Sequence, residues 1–159
     1  MSYFGARRRF GMKRFFPLAG FAAFLLMVAV PAGASPRQEV IAGPITGTVL
    51  SVLDGDTVNL KLRVWIGQEV ETSLRIDGID TPEIKGKCEK ERRLAAAARG
   101  ELESLLSDHM IKIYNVRLEK YAGRVLAKAQ TTDGIDIGGH MISKGFARPY
   151  HGEKRRPWC

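Results

Sequence analysis

Thr57-Val58-Asn59-Leu60-Lys61-Leu62-Arg63-Val64 alternates polar and apolar side chains without a break. A period of two belongs to a strand with one face in a core and the other in water. Before it stands Asp54-Gly55-Asp56, a turn sequence, preceded by Thr48 to Leu53, which reads as a first strand. After it Ile66-Gly67-Gln68 makes a second turn, and Glu69 to Ile76 is the third strand. Past Cys88 the period lengthens. Leu94, Ala98, Leu102, Leu105 and Leu106 fall on one helical face, with Glu89, Arg92 and Glu103 opposite. Ile111 to Val116 and Val125 to Gln130 read as two further strands, and Ile135 to Lys144 as a short helix.

Three strands, a helix, two strands and a helix is the order of a five-stranded Greek-key barrel, the OB-fold known for oligonucleotide binding. The expected class is α+β dominated by β, an OB-fold barrel with two helices. At 159 residues without internal repeats, the chain is expected to hold one domain with its own core.

The first 34 residues differ in kind. Arg7, Arg8, Arg9, Lys13 and Arg14 form a basic start, Phe15 to Val30 an apolar run, and Ala32-Gly33-Ala34 ends in small residues. This is the layout of a secretory signal peptide, and the apolar run falls short of the roughly 20 residues that span a bilayer. Residues 1–34 are therefore expected to be a leader, 35–44 a linker with prolines at 36 and 44, and 45–159 the folded domain. The product is expected to be exported, periplasmic or secreted, and to touch membrane only through the leader. Removing the five leader cations, which no acid balances, reduces the formal charge from +8 to +3. That mild excess is compatible with an anionic substrate and equally with a solvated surface. Cys88 and Cys159 are the two cysteines, both beyond the leader, and an oxidising compartment favours their pairing.

Between Asp54 and Arg124 acids and bases follow one another in an order suited to phosphodiester hydrolysis. The segments are Asp54-Gly55-Asp56-Thr57, Arg75, Asp80-Thr81-Pro82-Glu83 and Tyr121-Ala122-Gly123-Arg124. Carboxylates can hold a hard cation through oxygen, guanidiniums can grip a phosphate through two donors, and a further carboxylate can handle a proton. Asp56 and Asp80 are the candidate metal ligands. Pro82 disfavours a helical Thr81 and leaves its carbonyl free to point into a site. Asp54 is either an outer-sphere ligand or a side chain that caps its own turn. Arg75 and Asp80, five apart, cannot share a strand face, so the pleat has to break between them, and Gly78 is the natural place. An EF-hand is excluded: counted from Asp54, its twelfth position is Trp65 and not glutamate. His109, His140 and His151 lack metal-ligand spacing.

These four segments resemble the staphylococcal nuclease, or thermonuclease, family, over roughly Gly47 to Phe146. The resemblance implies the OB-fold and a calcium-dependent endonuclease that acts on DNA or RNA and leaves 3′-phosphates. It implies Asp56, Asp80 and the Thr81 carbonyl as calcium ligands, Arg75 and Arg124 on the scissile phosphate, and Glu83 as general base or water-positioning group. Lys120 and Tyr121 correspond to a phosphate-contacting pair, although one residue, Ala122 or Gly123, is extra. Tyr150 could stack on a base or pack on the barrel. Two departures stand out. The segment Ile84 to Cys88 is shorter than the family's loop at that place. The chain also stops at Cys159, so that Arg155 to Cys159 is expected to fold back, held by the disulfide. Other readings are a catalytically silent OB-fold module for nucleic acid or another polyanion, and a nuclease-like protein associated with exopolysaccharide. A monomer without a stable protein partner is expected.

Overall fold

The computed structural model describes residues 39–120 and 123–159. The expected leader and the start of the linker lie outside them. Among the described residues the elements run β1 (Ile45–Asp54), β2 (Thr57–Trp65), β3 (Gln68–Ile76), β4 (Ile79–Asp80), α1 (Glu89–Leu105), β5 (Met110–Leu118), β6 (Val125–Gln130), α2 (Ile137–Ser143) and β7 (Arg148–Pro149).

The alternation of β2 builds one wall of the core. Val58, Leu60 and Leu62 are buried, whereas Val64, in phase with them, is exposed because β2 outruns the barrel at that end. Antiparallel pairing joins β1 to β2 and β2 to β3 through tight turns. Strand β5 lies antiparallel to β1 and β6, and β6 runs parallel to β3, closing the barrel in the order β1-β2-β3-β6-β5. This is the OB-fold. Closure leaves no open edge among the five strands. Strand β1 begins three residues before the expected Thr48, because Ile45, Thr46 and Gly47 pair with Ile113, Lys112 and Ile111. Before β1, Ile41 already pairs with Val116.

Helix α1 lies against β1 and α2 with a face slightly rotated from the expected one. Its buried residues are Glu91, Ala95, Ala98 and Leu102, and Leu94 is 38% exposed. The small side chains at 95 and 98 bring the helix close, and that centre of contact leaves the bulkier Leu94 and Leu105 on the flank. Cys88 caps α1, its Sγ accepting from the Glu91 backbone N–H at 3.5 Å. Helix α2 starts at Ile137 and not at Ile135, because Asp136 caps it by accepting from Gly139 N–H at 2.8 Å.

Candidate active site

The turn between β1 and β2 is two residues long, Gly55-Asp56, with Asp54 paired to Thr57. Asp54 Oδ1 accepts from Asp56 N–H at 3.5 Å, the contact that the capping reading expects. Burial, followed by the neighbouring Asp56 charge, pushes the Asp54 carboxyl up from 3.8 to about 6. Asp56 is buried, and each of its oxygens has a partner. Its Oδ1 accepts from Thr57 Oγ1 at 2.8 Å, and its Oδ2 accepts from Thr81 N–H at 3.3 Å and is ion-paired with Arg75 Nη1 at 2.8 Å.

Arg75 occupies the outward phase of β3, between Leu74 and Ile76, which face the core. It is nevertheless only 5% exposed. Beyond Ile76 the chain turns at Gly78, whose φ of 92° suits glycine, and β4 then folds back over the arginine. The pleat thus breaks where expected. Arg75 Nη2 donates to the Ile79 carbonyl at 3.2 Å and lies 4.0 Å from Asp80 Oδ1. One guanidinium therefore stands between Asp56 and Asp80, as a buried pair must be arranged if neither charge is to be stranded.

Glu83 and the C-terminal residues complete this end. Arg155 Nη1 donates to Glu83 Oε1 at 2.5 Å, and Arg155 Nε lies 3.2 Å from Asp80 Oδ1. Trp158 Nε1 donates to Asp80 Oδ2 at 3.2 Å. Cys88 and Cys159 form a disulfide with Cα atoms 6.1 Å apart, so the tail folds back as expected. Burial opposes the charge of Arg155, but the hydrogen bond with Glu83 and the charges of Asp80, Glu83 and Asp56 outweigh it and raise its pKa.

Arg124 and Tyr150 lie apart from the carboxylates. Arg124 immediately precedes β6, two residues before Leu126, the register partner of Arg75, so alternation gives all three one face. Its recorded partner is Glu119, at 2.8 Å from Nε, and not the carboxylate cluster. Lys120 is exposed in the β5–β6 connection, and Tyr121 lies outside the described residues. Tyr150 lines a cleft of about 400 Å³ beside Arg75, with Ile79 and Leu126 as apolar wall and Arg117 and Lys128 as cations. Asp77 holds both cations, 3.0 Å from Arg117 and 3.9 Å from Lys128. His140 joins α2 to α1 through Glu101 at 2.6 Å.

The sequence model of the staphylococcal nuclease homologues matches residues 73–157, more than half of the chain. The chain belongs to the staphylococcal nuclease family. Two curated relatives, from Escherichia coli and Escherichia coli O157:H7, each carry the name "Uncharacterized endonuclease" and are 25% identical over 111 residues. The match covers 70% of this chain, which spans 65% of the length of those relatives. The family match starts within β3, so Asp56 joins the site through its contacts with Arg75 and Thr81 and not through the matched region.

In this staphylococcal nuclease family member the carboxylates suit a hard cation. Asp80 Oδ1 is buried without a directed hydrogen bond: Arg155 Nε approaches within 3.2 Å but does not aim its N–H at the oxygen. Such an orphaned anionic oxygen is the ligand atom that a calcium-like ion seeks. Cys88, Glu91 and Cys159 also come together, but the two sulfurs are spent on each other. The sequence reading missed Arg155, Trp158, Arg117 and Lys128. The first two carried a usable signal, since pairing of Cys159 with Cys88 forces the residues just before it toward Glu83.

Proposed function

We propose that the chain is an exported, calcium-dependent phosphodiesterase that hydrolyses DNA or RNA. The observation that carries this reading is the buried bridge Asp56–Arg75–Asp80, set on the outward face of the barrel beside a cleft lined by Tyr150 and cations. Asp56, Asp80 and the Thr81 carbonyl would hold the ion, which supplies Lewis acidity to a phosphoryl oxygen when bound. Arg75 is preorganised by Asp56 and the Ile79 carbonyl, so it presents its charge to phosphate without reorganising during the reaction. Arg124 approaches from the same face, and a phosphate would compete with Glu119 for it. Glu83 accepts the proton of the attacking water; the P–O5′ bond breaks and the departing oxygen gains a proton, leaving a 3′-phosphate. Tyr150 offers a ring on which a base can stack without regard to its identity. Export is supported by the composition of residues 1–34 and by the Cys88–Cys159 bridge.

Incubation of the purified protein with DNA and with RNA, in calcium and then in chelator, tests the reading. Cleavage in calcium that stops in chelator is expected, with 3′-phosphate ends identified by their resistance to polymerase extension until dephosphorylated. Full activity in chelator would remove the metal from the scheme. Absence of cleavage of either polymer would leave the binding-module reading and that of a nuclease-like protein associated with exopolysaccharide.

A further inference from the structure

Arg155 stands where a cation is expected. Its guanidinium contacts Asp80 and Glu83 together, at 3.2 Å and 2.5 Å, while Trp158 takes the other oxygen of Asp80. The segment that brings it there is held at several points. Arg148 lies over the Trp158 ring, 3.5 Å from its centroid, and donates to the Pro157 carbonyl at 3.3 Å. Cys159 is bonded to Cys88, which caps α1. Both oxygens of Asp80 thus face the tail, and the tail is anchored covalently four residues beyond Arg155. The matched family segment ends at residue 157, so the bridging Cys159 lies just outside it.

A guanidinium and a divalent cation cannot share the same oxygens, because like charges repel strongly where water is scarce. We propose that residues 155–159 form a tethered clamp in which Arg155 competes with the metal ion for Asp80 while it also holds Glu83, the disulfide keeping the competitor at hand. The clamp rests on the reading of Asp56 and Asp80 as metal ligands. The tether matters quantitatively: a group on a short linker is present at an effective concentration on the order of millimolar, so it rebinds however dilute the protein is. A clamp closed nine-tenths of the time weakens apparent metal affinity about tenfold. Glu83 is held by the same guanidinium, so opening of the clamp frees the proposed metal ligand and the proposed proton acceptor in one motion.

Calorimetric titration of the full chain with Ca²⁺ tests this. Arg155→Gln is expected to bind Ca²⁺ about tenfold more tightly than wild type, and Arg155→Lys, which keeps the charge, to remain near wild type. A Cys88→Ser/Cys159→Ser double variant should shift in the direction of Arg155→Gln, and adding Arg155→Gln to it should give little more, since both remove one competitor. Ca²⁺ affinity that is unchanged or weaker in Arg155→Gln overturns the clamp alone. Failure of every variant to bind Ca²⁺ overturns the metal reading and the clamp with it.

Discussion

Gly55 is flanked by two aspartates and backed by a helix. A Cβ added there would lie 2.7 Å from Ala98 Cβ, closer than real Cβ atoms pack, and 3.1 Å from Thr81 Cβ, a tight contact. Gly55→Ala is therefore expected to cost about 1–3 kcal/mol through overpacking, measured by chemical denaturation, and to shift Asp56 with it. The turn itself was legible as Asp-Gly-Asp. The demand for glycine was not, since it comes from Ala98, a residue far along the chain. Arg75 presents a second residue-level test. Its two terminal nitrogens serve Asp56 and the Ile79 carbonyl in one plane, and the single ammonium of lysine cannot reproduce that fork. Arg75→Lys should lower kcat by about a hundredfold or more with little change in KM, as loss of a preorganised transition-state donor does. A raised KM at unchanged kcat would assign Arg75 to ground-state binding.

Single elements show why local patterns carry so far and then stop. The alternation in β2 located Val58, Leu60 and Leu62 because a half-buried strand repeats every second residue, and the turn at Ile66-Gly67 closed where glycine could take a φ of 71°. The ribbon of β4 and β7 was invisible for the opposite reason: Ile79-Asp80 and Arg148-Pro149 are too short to show any period, yet they fold the chain over Arg75. In α1 the period was right and its centre wrong. Ala98, Leu102 and Leu106 are buried as expected, but close approach favoured Ala95 over the bulkier Leu94. The helix thus supplies a clean contrast. Leu102→Ala, at a fully buried position, should cost about 2–5 kcal/mol, while Leu94→Ala should cost under about 1 kcal/mol, since truncation of a partly exposed flank opens no closed cavity. Urea midpoints of the two variants would check the difference, and equal losses would place Leu94 in the core.

At the scale of the molecule, the element order pointed to the barrel, but its closing contacts lay beyond local reading. The parallel pairing of β3 with β6 joins segments separated by α1 and β5, and nothing in either strand alone names the other. The disulfide has the same character with one difference: two cysteines leave a single intramolecular pairing, so composition and the expectation of a leader sufficed to expect it. Its effect on stability follows from the loop it closes. Residues 88 and 159 are 71 apart in sequence, and restriction of the unfolded chain over such a loop contributes about 4 kcal/mol in the chain-entropy account. The tail contacts of Arg155 and Trp158 add to the folded side only while the tail stays docked, so they do not enlarge this figure by much. Cys159→Ser is accordingly expected to lose up to about 4 kcal/mol, read as a lower denaturation midpoint under non-reducing conditions. Wild-type protein treated with a dithiol should fall to the same midpoint, because both routes release the same loop. If reduction leaves the wild-type midpoint where it was, the bridge does not restrain the unfolded chain, and the stability of the barrel rests on its closed sheet and the packing of α1 alone.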